Sequence, residues 1–400
     1  MNRRVFLKSG AMAMLSLGFA PSFIGRAAAA VGARRKLLIA IFQRGAVDGL
    51  NMIVPYGEAD YYRLRPTIAI PRASTIDLDG FFGLHPSMAP LKPLWDNHSL
   101  AIVHACGSPD NTRSHFDAQD YMESATPGVK ATRDGWLNRY LQVSSEEHNP
   151  LRGVALARTM PRSLEGPAPA LAIGSVDEFG VRGAASAFED RYEHASDPTL
   201  SAAGNDAFAA MRTLRQAAGM PYRPAPGVEY PNTAFGKALA EIARLAKADV
   251  GLEVAFTELG NWDHHVNEGS VTGQIATRLD EFSRGLAALA ADLGDRMADT
   301  VIVTMSEFGR AVAENGNGGT DHGHGNAMMV IGGNLRGGVH GRWPGLSDAH
   351  RFEGRDVAVT TDFRDVFSEI VAAHMGVARD SLSRIFPGHH PGARPDIISG

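Results

Sequence analysis

The chain has 400 residues, of which 44% are hydrophobic and 21% are charged, a composition typical of a folded globular protein. Residues 1–30 carry four of the 39 basic side chains and no acidic one. Residues 31–400 therefore hold 35 basic and 44 acidic residues, a net charge of −9. An acidic protein of this kind is a poor candidate for binding nucleic acid. The single cysteine, Cys106, excludes an intramolecular disulfide.

The first thirty residues have the three parts of an export signal. Arg3 and Arg4 precede a short apolar run at 11–23, and the segment 26–30 offers several small-x-small cleavage sites. Paired arginines followed by Phe-Leu-Lys are typical of signals read by the twin-arginine translocation machinery. The alternative is a membrane anchor, for which the apolar run is short. We therefore expect a twin-arginine signal peptide at 1–30 and a periplasmic or extracellular mature protein with no stable membrane span.

Short apolar runs alternate with helical segments along the rest of the chain. Buried strands are predicted at residues 36–43, 100–105, 252–257, 300–305 and 327–331. Helices are predicted at 114–124, 233–248, 275–293 and 365–374. Residues 160–205 are rich in Pro, Gly, Ala and Ser and predict a loop-rich insertion. The alternation predicts an α/β fold in one domain, 31–400, with a mostly parallel sheet sandwiched by helices.

Acidic and histidine side chains cluster in the loops next to the predicted strands. The candidate metal ligands are, in chain order, Asp48, Asp263, His265, Glu307, Asp321, His322 and His324. The first four follow strands, and in an open parallel sheet ligands bind beyond the carboxyl ends of the strands. The last three precede their strand and must reach in from a loop. Carboxylates and neutral imidazoles are the usual ligands of zinc, manganese and iron, so the sequence predicts one or two divalent ions here.

Each candidate ligand also has a simpler interpretation. Asp48 can make a turn, and Asp263 can cap a helix. Glu307 can pair with nearby Arg310, and the glycine-rich residues 315–325 can form a flexible surface loop. The metal site is therefore predicted from the clustering of these residues and not from any one of them.

A nucleophile is predicted at the start of the helix 114–124. Ser114 and Asp117 have the spacing of a capping box, and on that interpretation Ser114 only caps the helix. The same position places a hydroxyl where backbone N–H groups and the helix dipole favour an anion. A neighbouring divalent ion could activate Ser114 as a nucleophile. Arg113 and Arg44 could hold the oxygens of an anionic substrate, or could equally be surface arginines.

Five short motifs carry a resemblance to a known family. They are QRGAVDGLN at 43–51, RSHFDAQD at 113–120, NWDHH at 261–265, SEFGR at 306–310 and TDHGHG at 320–325. In this order they resemble the domain of unknown function 1501 family of twin-arginine-exported bacterial proteins, over about residues 36 to 390. More distantly, the chain resembles the alkaline phosphatase and sulfatase superfamily. That resemblance implies an alkaline-phosphatase-like α/β sandwich with a two-metal site at the strand ends.

The superfamily resemblance also implies roles for particular residues. The superfamily's first-strand aspartate corresponds to Asp48, and its nucleophile corresponds to Ser114. Its Asp and His pair corresponds to Asp263 and His265, and its last histidine corresponds to His322 or His324. Two departures stand out, because Glu307 replaces an aspartate and Phe308 stands where a histidine ligand is expected. Asp321 or an extra loop histidine could compensate, or one metal could be missing. No sulfatase motif surrounds Cys106, so a formylglycine sulfatase is not expected.

Together these features predict a secreted metal-dependent hydrolase of phosphate or sulfate esters, acting on a small anionic ester or a surface polymer. Ser114 would attack the ester, and Arg113 or a second ion would stabilise the leaving oxygen. The alternative is a non-catalytic exported binding or assembly protein on the same fold. An open coordination position would favour the enzyme, whereas a closed shell or scattered side chains would favour the binding protein. A metal-containing oxidoreductase is compatible with twin-arginine export, although no residue singles it out.

Overall fold

The computed structural model describes residues 34–145, 149–177, 204, 208–214, 216, 219, 221–392 and 394–399. The predicted signal peptide at 1–30 lies outside these residues, as does most of the predicted insertion beyond residue 177. The described part of the insertion contains a short strand, Leu171–Ile173, and the 3-10 turn Arg162–Leu164. Contacts group the chain from Lys36 onward into one compact unit.

The strands form two sheets. In chain order they are β1 (Leu37–Gln43), β2 (Ile53–Val54), β3 (Ile76–Asp77), β4 (Gly83–Leu84), β5 (Leu100–Gly107), β6 (Gly153–Leu156), β7 (Leu171–Ile173), β8 (Val254–Leu259), β9 (Thr300–Met305), β10 (Asn326–Gly332), β11 (Gly338–His340) and β12 (Thr361–Asp362). Within the described part of the chain, the larger sheet has nine strands in the order β11-β5-β10-β9-β1-β8-β6-β7, with β12 beside β5. The small antiparallel sheet has the order β2-β4-β3. The five predicted strands match β1, β5, β8, β9 and β10.

One strand of the larger sheet runs against its neighbours. β1 is parallel to β8 and β9, and β5 is parallel to β11 and β12. β10 is antiparallel to both β9 and β5, so that its first residue, Asn326, pairs with Cys106 near the end of β5. The carboxyl ends of β1, β5, β8 and β9 therefore meet the amino end of β10 at one edge, which we call the carboxyl edge.

Helices surround the larger sheet. The α-helices whose two ends lie in the described residues are α1 (Gly49–Met52), α2 (Ala59–Leu64), α3 (Lys92–Asp96), α4 (His115–Ser124), α5 (Trp136–Ser144), α6 (Ala234–Lys247), α7 (Gln274–Leu293), α8 (Phe363–Glu369) and α9 (Leu382–Ile385). Three of the predicted helices match α4, α6 and α7, and the fourth corresponds to α8 with the π-helical turn Ile370–His374 that continues it. In the described residues, no helix combines the length and the apolar character that crossing a membrane would require.

The side chains of β1 show how both faces of the sheet are covered. Leu37, Ile39 and Ile41 belong to one buried cluster, which also holds apolar residues of α6 and α7. The alternate residues of the strand belong to a second buried cluster, which holds apolar residues of α4, α5 and α8. Successive side chains of a strand point to opposite faces, so each face packs against its own helices. The predicted α/β class, with a mostly parallel sheet between helices, is confirmed.

Candidate metal centre

Four polar side chains converge at the carboxyl edge. His115 is the first residue of α4, Asp263 and His265 lie in the loop after β8, and His322 lies in the loop before β10. We call these four residues the His–Asp cluster. Separate stretches of the chain supply them, and the loop before β10 reaches the same edge because β10 runs against its neighbours.

Three members of the His–Asp cluster have ligand atoms close enough to share one ion. Those of His115, Asp263 and His322 all lie within 4.8 Å of one another. Oδ1 of Asp263 is 3.6 Å from Nε2 of His115 and 3.5 Å from Nε2 of His322. Nε2 of His265 is 3.1 Å from the same oxygen and 2.9 Å from Nε2 of His322. Imidazole nitrogens with one carboxylate oxygen suit zinc and other first-row divalent ions.

Hydrogen bonds on the far side of two imidazole rings fix which nitrogen faces the cluster. Nδ1 of His115 lies 2.7 Å from Oε1 of Glu307, and Nδ1 of His322 lies 2.8 Å from the carbonyl oxygen of Arg113. An ionised carboxylate and a carbonyl only accept, so in the neutral rings Nδ1 carries the proton and Nε2 presents a lone pair. Nε2 of His115 is buried and has no hydrogen-bond partner among the described residues. A metal ion would satisfy this lone pair, and such outer hydrogen bonds are typical of metal-binding histidines.

Glu307 reaches the cluster through His115 and not as a ligand. Besides Nδ1 of His115, its Oε1 accepts hydrogen bonds from Nε2 of Gln119 and from the backbone N–H of Gly45, each at 2.8 Å. Burial acts to raise the pKa of this carboxyl, but the hydrogen bonds outweigh burial and the pKa is lowered. The hydrogen bond to Glu307 in turn raises the pKa of His115 against the effect of burial. Glu307 is therefore an ionised residue that positions His115.

Arg310 holds the carboxylate of the cluster in place. Nη2 of this buried arginine donates to Oδ1 of Asp263 at 2.6 Å and to the carbonyl oxygens of Gly45 and Trp262 at 2.5 and 3.1 Å. Burial acts to raise the pKa of Asp263, but Arg310 outweighs it and the pKa is lowered. Asp263 is thus ionised and available to a cation. The sequence suggested Glu307 as the partner of Arg310, whereas the structure pairs Arg310 with Asp263.

Phe308 forms a wall of the cluster. Its ring centroid lies 4.9 Å from that of His115 and 5.0 Å from that of His322, and the residue is buried. The superfamily resemblance expects a histidine ligand at this position. The phenyl ring offers no ligand atom and instead limits the rotation of the two imidazoles.

The cluster is open to solvent on one side. The side chains of Asp263 and His265 are 45% and 38% exposed, and those of His115 and His322 are 23% and 24% exposed. An ion held by three of these side chains would keep a position that water or substrate can reach. This arrangement is typical of catalytic metal sites, whereas structural sites are closed.

Asp321 lies beside the cluster. Its Oδ1 accepts a hydrogen bond from Nδ2 of Asn315 at 3.1 Å and is 3.5 Å from Nδ1 of His265. The hydrogen bond from Asn315, opposed by burial and helped by His265, lowers the pKa of Asp321. Asp321 therefore contacts a cluster residue from behind, as Glu307 does, and is not among the ligand atoms that lie together.

Two further predicted ligands, Asp48 and His324, have other partners. The buried carboxylate of Asp48 forms an ion pair with Arg65 through both oxygens and accepts a hydrogen bond from the backbone N–H of Leu50, which caps α1. The buried ring of His324 stacks on Phe352 with centroids 4.3 Å apart. Neither belongs to the group of potential ligands found in the described residues. We therefore assign both to structural roles, since their polar or aromatic surfaces are already used.

The residues predicted to act on a substrate surround the start of α4. Ser114 is the N-cap residue of α4, but its side chain makes no capping hydrogen bond. The guanidinium of Arg113 binds Asp356 at 2.5 Å and Glu353 at 2.7 Å. Arg44 likewise pairs with one glutamate of α4 and one of β8. Neither arginine is therefore free to hold an anion, although the backbone carbonyl of Arg113 orients His322.

His115 was not among the candidate ligands predicted from the sequence. The chemistry of the helix start was assigned to Ser114, and the histidine after it was part of a motif. The sequence did contain a signal for His115, because this helix follows β5 and so begins at the edge where the other candidate ligands lie. The supporting roles of Gln119 and Arg310 depend on contacts between distant segments, which spacing alone does not reveal.

The comparisons with known proteins place the chain in a family. No curated protein matches it. A family model described as "Protein of unknown function" matches residues 35–382, which include the whole His–Asp cluster and the residues that support it. Since this match covers most of the chain, the protein belongs to the DUF1501 family.

Proposed function

We propose that this protein is a metal-dependent hydrolase of phosphate or sulfate esters with a single divalent ion at the His–Asp cluster. The observation that supports it is the convergence of two lone-pair Nε2 atoms, from His115 and His322, on the ionised carboxylate of Asp263. His265 offers a further nitrogen beside them. One ion is proposed, and not two, because the described residues contain one such group.

The roles of the chain's own residues follow from their contacts. A divalent ion at this position supplies Lewis acidity to an ester oxygen. Glu307 keeps the Nε2 lone pair of His115 directed at the cluster, and Arg310 keeps Asp263 ionised. Ser114 is the proposed nucleophile, because it precedes His115 at a helix N-terminus and its hydroxyl is not used in capping.

Export by the twin-arginine route to the periplasm or beyond is a second part of the proposal. It is supported by Arg3, Arg4, the apolar run 11–23 and the small residues at 26–30. Replacing Arg3 and Arg4 with lysine should leave the protein in the cytoplasmic fraction, whereas the unchanged chain is recovered outside it. Equal export of both forms would contradict this route.

A non-catalytic binding or assembly protein is the second candidate function. It is favoured by the ion pairs of Arg113 and Arg44, which leave a substrate anion without the two cations that the sequence suggested. On this alternative the cluster would bind a metal but cleave no ester.

The experiment that tests the hydrolase is metal content followed by an ester screen. The protein is purified without chelator or His tag, and bound metal is measured by mass spectrometry in the wild type, in His115→Ala and in Asp263→Ala. His350→Ala is the matched control, because this exposed histidine bonds Ser347 and not the cluster. We expect about one equivalent of metal in the wild type and control and a large loss in the other two variants.

The same proteins then separate the two candidate functions. Cleavage of aryl phosphate or sulfate esters that requires the metal and is lost in Ser114→Ala would support the hydrolase. A metal-loaded protein that cleaves no ester would favour the binding protein. A folded protein that takes up no added metal would contradict both the centre and the mechanism.

A further inference from the structure

A cavity lies between α8, the π-helical turn that continues it, and the residues after α9, which we call the C-terminal segment. Its volume is about 430 Å³, and small-molecule sites usually enclose about 300–1,000 Å³. π-helical turns are rare and are often found at functional sites. No residue of the His–Asp cluster is among the described residues that line the cavity, so the two are separate.

The hydroxyl of Ser368 is the most informative group in the lining. Ser368 is only 3% exposed, and its Oγ is buried without a hydrogen-bond partner among the described residues. A buried hydroxyl without a partner is unfavourable, and most such groups in proteins are paired. Because Ser368 lines the cavity, a polar atom of a ligand would supply the partner.

Asp365, one helical turn before Ser368, presents a second free atom. Its Oδ1 accepts a hydrogen bond from the backbone N–H of Gly392 at 2.8 Å and lies 3.0 Å from Nε2 of His389. Its Oδ2 has no hydrogen-bond or ion-pair partner in the described part of the chain. Side chains three residues apart on a helix are neighbours, so Oδ2 of Asp365 and Oγ of Ser368 can accept from one ammonium group.

The other carboxylate of the lining, Glu369, is already occupied. It accepts hydrogen bonds from the backbone N–H groups of Asp396, Ile397 and Ile398 at 2.8, 2.7 and 2.8 Å. These bonds hold the C-terminal segment against α8. Glu369 therefore closes one wall of the cavity and leaves Asp365 as the carboxylate with an oxygen free to bind a ligand.

Two arginines supply the opposite charge. Arg379 and Arg394 line the cavity and are exposed, and neither forms an ion pair or a side-chain hydrogen bond with another described residue. A guanidinium can bind a carboxylate through two parallel N–H donors. The free groups of the lining thus match both ends of a zwitterion, with Asp365 and Ser368 for the cation and the arginines for the anion.

The remaining described residues of the lining favour a ligand with an apolar body. Six of them are apolar, namely Ala372, Ala373, Val377, Ala378, Leu382 and Pro391. Apolar side chains of a ligand would be removed from water against this surface, which favours binding. A cavity of this volume admits a ligand of a few residues at most.

We propose that this cavity binds a short apolar peptide with free ends, of about two residues. The ammonium group of the peptide donates to Oδ2 of Asp365 and Oγ of Ser368. The carboxylate of the peptide binds one of the two arginines, and its side chains pack on the apolar lining. The site is independent of the His–Asp cluster and of ester cleavage there.

The test is a peptide titration by calorimetry on the full chain in the presence of chelator. Leucyl-leucine is compared with three peptides that each lack one feature: N-acetyl-leucyl-leucine lacks the ammonium group, leucyl-leucine amide lacks the carboxylate, and glycyl-glycine lacks the apolar body. We expect leucyl-leucine to bind the wild type, and each of the other three to bind at least about tenfold more weakly. The proposal is overturned if leucyl-leucine does not bind, or if any of the three binds as tightly.

Asp365→Asn identifies the group that binds the ammonium. This change keeps an oxygen for the N–H of Gly392 but removes the charge, so leucyl-leucine should bind at least about tenfold more weakly. N-acetyl-leucyl-leucine should bind Asp365→Asn and the wild type equally, because it has no ammonium group to lose. Equal weakening of both peptides would show that Asp365 acts only on the structure and would overturn the proposal. Ser368→Ala, which leaves Asp365 intact, is expected to weaken leucyl-leucine selectively in the same way.

Further variants locate the bound peptide. Replacing Arg379 and Arg394 together with glutamine should reduce leucyl-leucine binding to that of its amide. Arg384→Gln is the matched control, because Arg384 is exposed on α9 but does not line the cavity. An equal loss in Arg384→Gln would overturn the proposal. Asp263→Ala should bind leucyl-leucine as the wild type does, whereas a loss there would place the peptide at the His–Asp cluster and also overturn it.

Discussion

At the scale of single residues, the His–Asp cluster depends on a chain of hydrogen bonds behind His115. Nη1 of Arg44 donates to Oε1 of Gln119 at 3.1 Å, and Nε2 of Gln119 donates to Glu307, which accepts from His115. The arginine therefore fixes which end of the Gln119 amide faces the carboxylate. An arginine that the sequence suggested as an anion holder acts here as a positioning residue.

Among these hydrogen-bonded residues, Glu307 should have the most direct effect on the affinity of the proposed centre for a metal, because it carries a negative charge. Glu307→Gln keeps the shape but removes the charge that orients His115 and increases its basicity. Since such outer partners typically contribute about 10–100-fold to metal affinity, we expect zinc to bind at least about tenfold more weakly, measured by competition with a chromophoric chelator. Glu281→Gln, at a partly buried ion pair on α7, should leave the affinity unchanged. Equal zinc affinities in the wild type and in Glu307→Gln would show that Glu307 does not contribute to metal binding.

The buried carboxyl groups of Asp48 and Glu268 predict how the stability of the folded state depends on pH. Burial and then the charge of Asp48 raise the pKa of Glu268 well above its usual value, whereas Arg65 outweighs burial and lowers the pKa of Asp48. Glu268, which is fully buried and accepts hydrogen bonds from Asn51 and Thr320, therefore keeps its proton in the folded state. The unfolded chain releases that proton above about pH 4.5, so this group makes the folded state less stable as pH rises.

The sign of this effect is tested with Glu268→Gln, which stays neutral at every pH. Between about pH 5 and about pH 8, the free energy of unfolding of the wild type should fall relative to that of the variant, by up to about 1.4 kcal/mol per pH unit. The measurement is urea denaturation of both proteins in the presence of chelator. A constant difference between them across this range would show that Glu268 is ionised in the folded protein.

At the scale of elements, sequence patterns located the central strands but not their directions. The apolar run at 327–331 is compatible with a parallel and with an antiparallel strand, because a strand that is buried on both faces shows no alternation of apolar and polar residues. Only the pairing of β10 with β5 and β9 shows why the loop carrying His322 reaches the carboxyl edge. The position of the candidate ligands after β8 could be predicted from the strand-end rule, whereas His322 could only be proposed as a loop contribution.

The start of α4 shows a second limit of sequence reasoning. The helix was predicted within one residue of its observed bounds, yet His115, which lies next to the predicted nucleophile Ser114, was not predicted as a candidate ligand. A capping pattern identifies where a helix begins but not which side chain of the first turn faces a distant loop. That orientation is set by packing of Ala118 against Ala46 and Phe308, a contact between three separate segments.

This packing predicts that α4 positions His115 as a rigid element. Ala118→Leu places a larger side chain between α4 and Phe308, so the helix must move away from the wall of the cluster. We expect a loss of about 1–3 kcal/mol in the free energy of unfolding, together with weaker zinc binding. Phe116→Leu is the control on the same helix, because Phe116 is 89% exposed. If Ala118→Leu is destabilised but its zinc affinity is unchanged, the packing of α4 does not determine zinc binding.

At the scale of the whole molecule, the cluster joins parts of the chain that are far apart in sequence. His115 follows β5, Asp263 follows β8 and His322 precedes β10, and both buried clusters of the sheet must form before these side chains meet. The unfolded chain has no such preformed site, so metal binding at the proposed centre would be coupled to folding. An ion that binds only the folded state must therefore stabilise the whole protein.

The expected size of that coupling follows from mass action. At a free zinc concentration about one hundred times the Kd, the folded state gains about 2.7 kcal/mol, which for a chain of this length raises Tm by about 3–6 °C. Calorimetric scans with zinc and with chelator measure the difference. His322→Ala should lose the zinc-dependent rise, whereas His350→Ala should keep it, because His350 bonds Ser347 away from the cluster. A zinc-dependent rise that persists in His322→Ala would mean that the stabilising ion binds at other side chains.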